Sequence, residues 1–421
     1  MSYKKYFLYK KQESEDGGDT WHDVIPTETK PSSSPVGEYA TLAECESSSS
    51  IDYGSEYFTT EAIDNNIYFA YGNSEHSRDY FNDFYYSLDN GSTWVNGRIT
   101  PTVSAGSKVL WKGKIRKTAT MSSYDDAQPF WATGRYKVYG NVMSVVYSDD
   151  FIGKNTLSGV TTLNHLFCSF RWDEDLQRYV GNYLVDAKNL VLPAKTLPVR
   201  AYDSMFYMQP LVEPPMIIPA ETLRGYACRM MFCNTNITTT PEMTFKNVGT
   251  LACNGMFAQC KLLTTSCDLN ADSVAVGGYK TMYNGCISLI KPPALPTTDI
   301  GRYNTEGSSY GLNGCYEDMF KGCTSLTTAP ELPAKLITPQ CYNAMFSGCT
   351  SLSYLKCLAE ESAPGGTWSF GYRMLCGVNS VGLLVKSTNA DPVYWTFGDP
   401  CVDTIGEGAG TVPSNWAIRS V

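Results

Sequence analysis

From about residue 202 onward the apolar positions return on a fixed spacing. The pair Met205-Phe206 recurs as Met231-Phe232, Met256-Phe257, Met282-Tyr283, Met319-Phe320, Met345-Phe346 and Met374-Leu375. Successive methionines are 26, 25, 26, 37, 26 and 29 residues apart, so the step of 37 reads as one period carrying an 11-residue insertion. A period of this size marks a stacked-repeat architecture, in which each unit buries its apolar face against its neighbours. Within one unit Ile337, Cys341 and Met345 are spaced i, i+4 and i+8, and Tyr342 and Phe346 are also four apart. That spacing predicts a short helix. Pro339 falls in its first turn, where a missing N–H costs little, and Gly348 is the expected stop. Thr350-Ser351-Leu352 then opens an extended segment, and Ala329-Pro330-Glu331-Leu332-Pro333 cannot be helical. The prediction is an α/β leucine-rich-repeat-like solenoid over residues 158–376, with a degenerate first unit around Leu166-Phe167-Cys168 and one strand and one short helix per unit.

The cysteines follow the same period. Cys260, Cys286, Cys323 and Cys349 each lie three residues after the aromatic of the pair, and Leu263, Leu289, Leu326 and Leu352 lie three further on. Stacking turns each set into a column of small or branched apolar groups inside the core. Metal sites of cysteine need close pairs at defined spacing, and here there is one per unit with no histidine nearby. Most of the 15 cysteines are therefore expected to be reduced core residues, and no metal or cofactor is expected.

Upstream the period shortens to two. Tyr68–Tyr71, Phe84–Ser87, Lys108–Trp111 and Tyr136–Tyr139 read as strands of a small antiparallel sandwich over residues 51–157, placed to cover the edge of the first repeat. Residues 377–421 are expected to cap the other end, with Val385, Trp395 and Trp416 as anchors. Residues 1–46 are set off by Pro31-Ser-Ser-Ser-Pro35 and by Ser47–Ser50, which are polar breaks.

Two segments, Ser14-x-Asp16-x-Gly18-x-Thr20-Trp21 and Ser87-x-Asp89-x-Gly91-x-Thr93-Trp94, match the Asp-box pattern seen in sialidases. A sialidase propeller needs several four-stranded blades and a cluster of arginines for the substrate carboxylate. The stretch before the repeats is too short for such a propeller, and no arginine cluster is evident. Both segments are read as structural β-hairpins in which the Asp accepts backbone N–H bonds, Gly takes the positive-φ position and Trp packs beneath.

Composition narrows the function. Charged residues are 18% of the chain and the net charge is −9, which disfavours nucleic acid and anionic membranes. No stretch approaches the run of about 18 apolar residues that spans a bilayer. The start, Met1-Ser-Tyr-Lys-Lys-Tyr-Phe-Leu-Tyr, has no apolar core of a secretory signal, so folding outside an oxidising compartment is expected. His22, His76 and His165 are scattered with no local nucleophile or acid. The carboxylate pairs Asp125-Asp126, Asp149-Asp150 and Asp173-Glu174-Asp175 read as turn residues, and Gly153-Lys154-Asn155 lacks the glycines of a phosphate loop. No enzyme activity is expected. Breaks in a repeat mark its loop face, often its binding face. The insertion carries Arg302, Tyr303, Asn304 and Tyr310, and the step of 29 carries Trp368 and Tyr372, all suited to stacking on a sugar or packing on a protein.

The unit Met319-Phe-Lys-Gly-Cys-Thr-Ser-Leu-Thr-Thr-Ala-Pro-Glu-Leu-Pro-Ala334, followed by Cys341-Tyr-Asn-Ala-Met-Phe346, resembles the BspA-like leucine-rich repeats of gut bacterial surface proteins and their phages. Tyr86–Trp94, Pro101–Gly106, Val109–Gly113 and Gly140–Ser144 resemble the β-domain that commonly precedes those repeats, and Lys386 with Val412–Trp416 resembles their C-terminal cap. Tyr9–Gln12, Ser14–Trp21, Asp23–Pro26 and Gly37-Glu38 resemble short N-terminal modules of virion proteins in crAss-like gut phages. The resemblance implies a bacteriophage structural protein, a fibre or appendage of tail or capsid. It also implies joining to other virion proteins through residues 1–46, a homo-oligomer, and contact with a host-surface glycan or protein. It implies a virion location after assembly in the host cytoplasm. A bacterial cell-surface adhesin is the alternative.

Overall fold

The computed structural model describes residues 6–8, 12–13, 22–23, 37–39, 54–72, 83–115, 129–157, 163–168, 171–173, 178–180, 183–295, 300–302, 314–337, 340–362, 371–390, 395–401 and 410–421. The chain divides into a unit of residues 1–56 and one of residues 57–421. In the first, Tyr6–Leu8 pairs antiparallel with Gly37–Tyr39, and Gln12–Glu13 pairs antiparallel with His22–Asp23. Asp16, Gly18 and Trp21, expected in the turn between the latter two strands, lie outside the described residues.

The second unit opens with antiparallel strands. Phe58–Ala62 lies between Lys108–Gly113 and Tyr136–Asn141, and Phe84–Ser87 with Val95–Asn96 extends the sheet beyond Lys108–Gly113. A smaller sheet joins Phe69–Tyr71 to Phe130–Ala132. Aromatic side chains of the two sheets meet, Phe58 on Phe130 at 4.9 Å and Tyr71 on Phe84 at 4.5 Å between ring centres. Trp111 is wholly buried and donates its indole N–H to Thr60 Oγ1 at 3.0 Å, which removes the cost of burying that donor. The far side of Tyr136–Asn141 takes parallel partners, Leu184–Asp186 and Leu190–Val191, so pairing switches from antiparallel to parallel at that strand.

From Thr196 the pairing is parallel and repeats with the sequence period. Thr196–Leu197, Thr222–Leu223, Asn247–Val248, Ser273–Ala275 and Ile300–Arg302 form one sheet. Ile217–Ile218 pairs with Glu242–Met243, and Leu336–Ile337 with Glu361–Ser362. The Met-Phe segments stack beside these strands. Phe167, Phe206, Phe232, Phe257, Tyr283, Phe320 and Phe346 form a ladder of nearly parallel rings 5.1–5.6 Å apart.

The helix expected in each unit is not there, and the α/β solenoid is thereby overturned. Among the described residues the one α-helix is Ser144–Tyr147, outside the Met-Phe segments, and the chain is otherwise mostly strands in several small separate sheets. The segment Cys341–Phe346, read as helical, is a run of consecutive turns; Ile337 ends a strand, and Pro339 lies outside the described residues. The physical reason is a left-handed residue at every fourth position: Ser204 and Met208, Tyr226, Met230 and Asn234, Leu251, Gly255 and Gln259, Gln340, Ala344 and Gly348 all have positive φ. An α-helix admits none of these. Each N–H alternates its partner instead. Met205 and Tyr207 donate to the carbonyls of Tyr202 and Ser204 three residues back, while Ser204 and Phe206 donate to Arg229 and Met231 of the next unit. Buried residues four apart thus follow from a four-residue turn, which the 3.6-residue helix imitates in sequence.

The cysteine column has a specific use. The thiols of Cys260, Cys286, Cys323 and Cys349 donate to the carbonyls of Phe232, Phe257, Tyr283 and Phe320 in the preceding unit at 3.0–3.2 Å. Burial pushes the Cys260 thiol up to about 11 and the Cys349 thiol up to about 12. Among the described residues Cys376 is bridged to Cys401. The segment expected as a separate cap continues the parallel pairing, with Tyr354–Cys357, Gly382–Lys386 and Trp416–Ser420 side by side and Trp395–Gly398 paired to Gly410–Pro413. Val385, Trp395 and Trp416 are buried there.

Candidate surface of the stacked turns

Stacking aligns residues that sequence keeps a period apart. Asp203, Arg229, Asn254, Lys280, Glu317, Asn343 and Tyr372 fall on one line across successive turn segments, as the backbone bonds Ser204 to Arg229, Gly255 to Lys280, Thr281 to Glu317, Asp318 to Asn343 and Ala344 to Tyr372 require. Asp203 is buried and the rest are half-buried. Just beneath lie Met205 and Phe206 and their repeats, all buried. The line is knit by ion pairs and hydrogen bonds. Lys280 Nζ is 2.6 Å from Glu317 Oε2, and Thr281 Oγ1 donates to Asn254 Oδ1 at 3.2 Å.

Its first members form the densest charge cluster. The Asp203 carboxylate, with no exposed side-chain surface, accepts from Arg200 Nη1 at 3.0 Å and from Arg229 through Nε and Nη2, each at 3.0 Å. The Ser204 hydroxyl adds a third neighbour at 3.1 Å. Both guanidinium groups lie by the Tyr226 ring, Arg200 at 4.9 Å and Arg229 at 5.7 Å from its centre. No arginine cluster was expected from the sequence. The repeat register creates this one, by setting residue 200 against 226 and 203 against 229.

Of the proposed ligand-binding residues, Tyr372 is half-buried on this line. Arg302 ends the strand Ile300–Arg302 at the edge of the five-stranded parallel sheet. Tyr303, Asn304, Tyr310 and Trp368 lie outside the described residues. In the sequence both breaks in the period fall between the strand of a unit and the run of turns that follows it. One follows Ile300–Arg302 and rejoins the turns at Gly314; the other follows Glu361–Ser362 and rejoins at Gly371. Two repeats of sequence separate them: Ile300–Arg302 ends one parallel sheet, and Glu361–Ser362 pairs with Leu336–Ile337 in another.

The Asp-box at Ser87–Trp94 is a closed turn. Asp89 accepts from the Thr93 N–H at 2.8 Å, from the Thr93 hydroxyl at 2.6 Å and from the Ser87 hydroxyl at 2.7 Å, and those bonds hold its carboxyl down to about 2. Gly91 has φ +87°, as the turn requires, and donates to Ser87 Oγ. Trp94 lies 4.2 Å under the Lys112 ammonium and 5.0 Å from Tyr57. Asp149 binds both, Lys112 at 2.9 Å and the Tyr57 hydroxyl at 2.6 Å, and burial with that bond pushes the Tyr57 phenol up to about 12. Every Asp89 oxygen is thus engaged by its own turn. His165 is buried in the turn below Asp203, to whose carbonyl its N–H donates. His22 sits in a strand; His76, Asp125 and Asp126 lie outside the described residues.

Among the described residues no three His, Cys, Asp or Glu stand together as metal ligands, and no helix is long and apolar enough to cross a membrane. The chain matches no protein-family model, no curated protein and no solved structure.

Proposed function

We propose that this chain is a structural component of a bacteriophage virion, a fibre or accessory appendage of tail or capsid, that contacts the host surface along its stacked turns. The observation carrying this reading is the line from Asp203 to Tyr372, a polar row ending on an aromatic residue and aligned by backbone bonds over a buried apolar core. Such a row is preorganised, so binding an extended ligand costs little side-chain ordering. The likeness of Tyr9–Gln12 and Ser14–Trp21 to virion modules supports attachment through residues 1–46 to other virion proteins. The BspA-like pattern of the repeats supports a surface role without catalysis.

Mass spectrometry of gradient-purified particles should find the chain at a fixed copy number, and electron microscopy should place it on tail or capsid. Its absence from purified particles, or its recovery only from the bacterial envelope, overturns the reading and favours an adhesin. For recognition, particles bearing Tyr303→Ala, Tyr310→Ala, Trp368→Ala and Tyr372→Ala together should assemble normally and adsorb to host cells about tenfold less. Adsorption equal to that of the parent would sink that role for these residues.

A further inference from the structure

We propose that Arg200 and Arg229 form a binding site for the carboxylate of an acidic sugar; the idea rests on the host-contact reading above and names the ligand class of that surface. One guanidinium neutralises one carboxylate, yet Asp203 holds two, so the cluster carries a net positive charge on a chain whose total is −9. The surplus is aimed outward. Asp203 is fully buried, whereas the Arg200 and Arg229 side chains keep 21% and 25% of their surface exposed. Each arginine has five N–H donors. Arg200 commits one nitrogen to Asp203 and Arg229 commits two, which leaves a planar edge on each for a second anion.

The arrangement is held in place at some conformational cost. Arg200 and Tyr226 both have φ +59°, a left-handed conformation that costs bulky residues about 1–3 kcal/mol and that Leu251, Gly277 and Gln340 share at the equivalent position of later units. Stacking of these two positions brings Arg200 against the Tyr226 ring and, with Asp203 behind, holds both guanidinium forks in place. A planar, bidentate-capable pair of forks suits a carboxylate better than a spherical ion. A net-negative chain repels polyanions at large, so such a ligand needs a local site of this kind.

The test uses the purified full chain titrated with sodium glucuronate, with glucose and inorganic phosphate as comparison probes, followed by calorimetry and ligand-observed NMR. Glucuronate should saturate one site, glucose should not bind, and phosphate should bind more weakly. Arg200→Gln should weaken glucuronate binding about tenfold with an unchanged melting temperature, because Asp203 keeps both Arg229 bonds and the Ser204 hydroxyl. Arg200→Lys, which keeps the charge and loses the fork, should fall between the two. No saturable glucuronate binding, equal binding by Arg200→Gln, or tighter binding of phosphate overturns the site as proposed. The titration uses isolated chain and the virion test uses particles, so failure of either leaves the other result standing.

Discussion

The antiparallel region of residues 57–157 and the stacked turns from residue 163 to 377 both bury aromatic rings, but they arrange them differently. In the first, Phe58–Phe130, Phe69–Tyr136 and Trp111–Phe130 meet at 62°, 77° and 73°, each pair in its own geometry. In the second, successive ladder rings lie within 2–16° of parallel at nearly constant separation. Centre distances above 5 Å with parallel planes mean offset stacking, which the ring quadrupole favours. The antiparallel region therefore depends on side-chain shapes that each occur once. The stack depends on one contact repeated, and each unit answers only to its neighbours.

The largest effect should come from removing one ring of each kind. Phe130→Ala takes out a ring that touches Phe58, Tyr71, Phe84, Trp111 and Phe167, and Phe257→Ala takes out one between Phe232 and Tyr283. Both should cost about 3–5 kcal/mol. The distribution should differ. Hydrogen exchange in Phe257→Ala should rise in the turns around 228–234 and 280–286 and stay unchanged at 58–62 and 108–113. In Phe130→Ala it should rise through both antiparallel sheets. Uniform loss of protection across the whole chain in Phe257→Ala would show that the stack does not behave as a nearest-neighbour array.

Alkali should separate the regions next. Burial raises Cys233, Cys349 and Cys357 to about 12 and Cys260 to about 11, from 9.0. A folded pKa above the unfolded one means that stability is complete below pH 9 and is lost as pH rises through 11 to 12. No cysteine falls between residues 46 and 167, and the buried Tyr71 and Tyr136 there, also raised by burial, draw on stability only above pH 10. The stack should therefore weaken about one pH unit earlier. Melting followed from pH 8 to 11.5 checks this, with Cys260→Ala plus Cys349→Ala flattening the slope. Stability level from pH 8.5 to 11 would contradict it. The same thiols should resist iodoacetamide in the folded chain, since the thiolate is the nucleophile.

A smaller, local effect belongs to the Asp89 turn. Its lowered pKa means that the turn's added stability is present above pH 3.8 and disappears as pH falls toward 2. Asp89→Asn should raise amide exchange at Gly91 and Thr93 about tenfold at pH 7 while the ladder amides stay as they were. Exchange unchanged at both amides would mean that Gly91 and the strands alone set the turn.

These contrasts show what was legible in the residues. The period, the Cys and Leu columns and the strands at 69–71, 84–87, 108–113 and 136–141 follow from apolar spacing, because burial selects residue type directly. The choice of turns over helix was hidden, since buried positions four apart serve both. A clue lay in the ladder's polar and glycine residues at left-handed positions, such as Asn234, Gly285 and Gly348. The Arg200–Asp203–Arg229 cluster was invisible one segment at a time, because it exists only across units in register. The Cys376–Cys401 bridge had no local signal: Cys376 follows Leu375 as Cys233 follows Phe232, and Cys233 is a buried free thiol.

The smallest effect discriminates most sharply between a turn and a helix. Ala344 has φ +47° and Gly348 has φ +76°, four residues apart on the same segment. In a helix interior, Ala344→Gly would cost about 1 kcal/mol, because alanine is the best helix former and glycine among the worst. In a turn with a left-handed residue at that position, glycine relieves the clash between Cβ and the carbonyl, so the same change should stabilise by a few tenths to about 1 kcal/mol after its unfolded-state entropy is subtracted. Gly348→Ala should lose about 1 kcal/mol although an added Cβ meets Gly322 only at 3.6 Å, since the strain there is conformational and not steric. Thermal melts of the two variants should thus move in opposite directions. A loss of stability in Ala344→Gly would restore the helix that the sequence spacing first suggested.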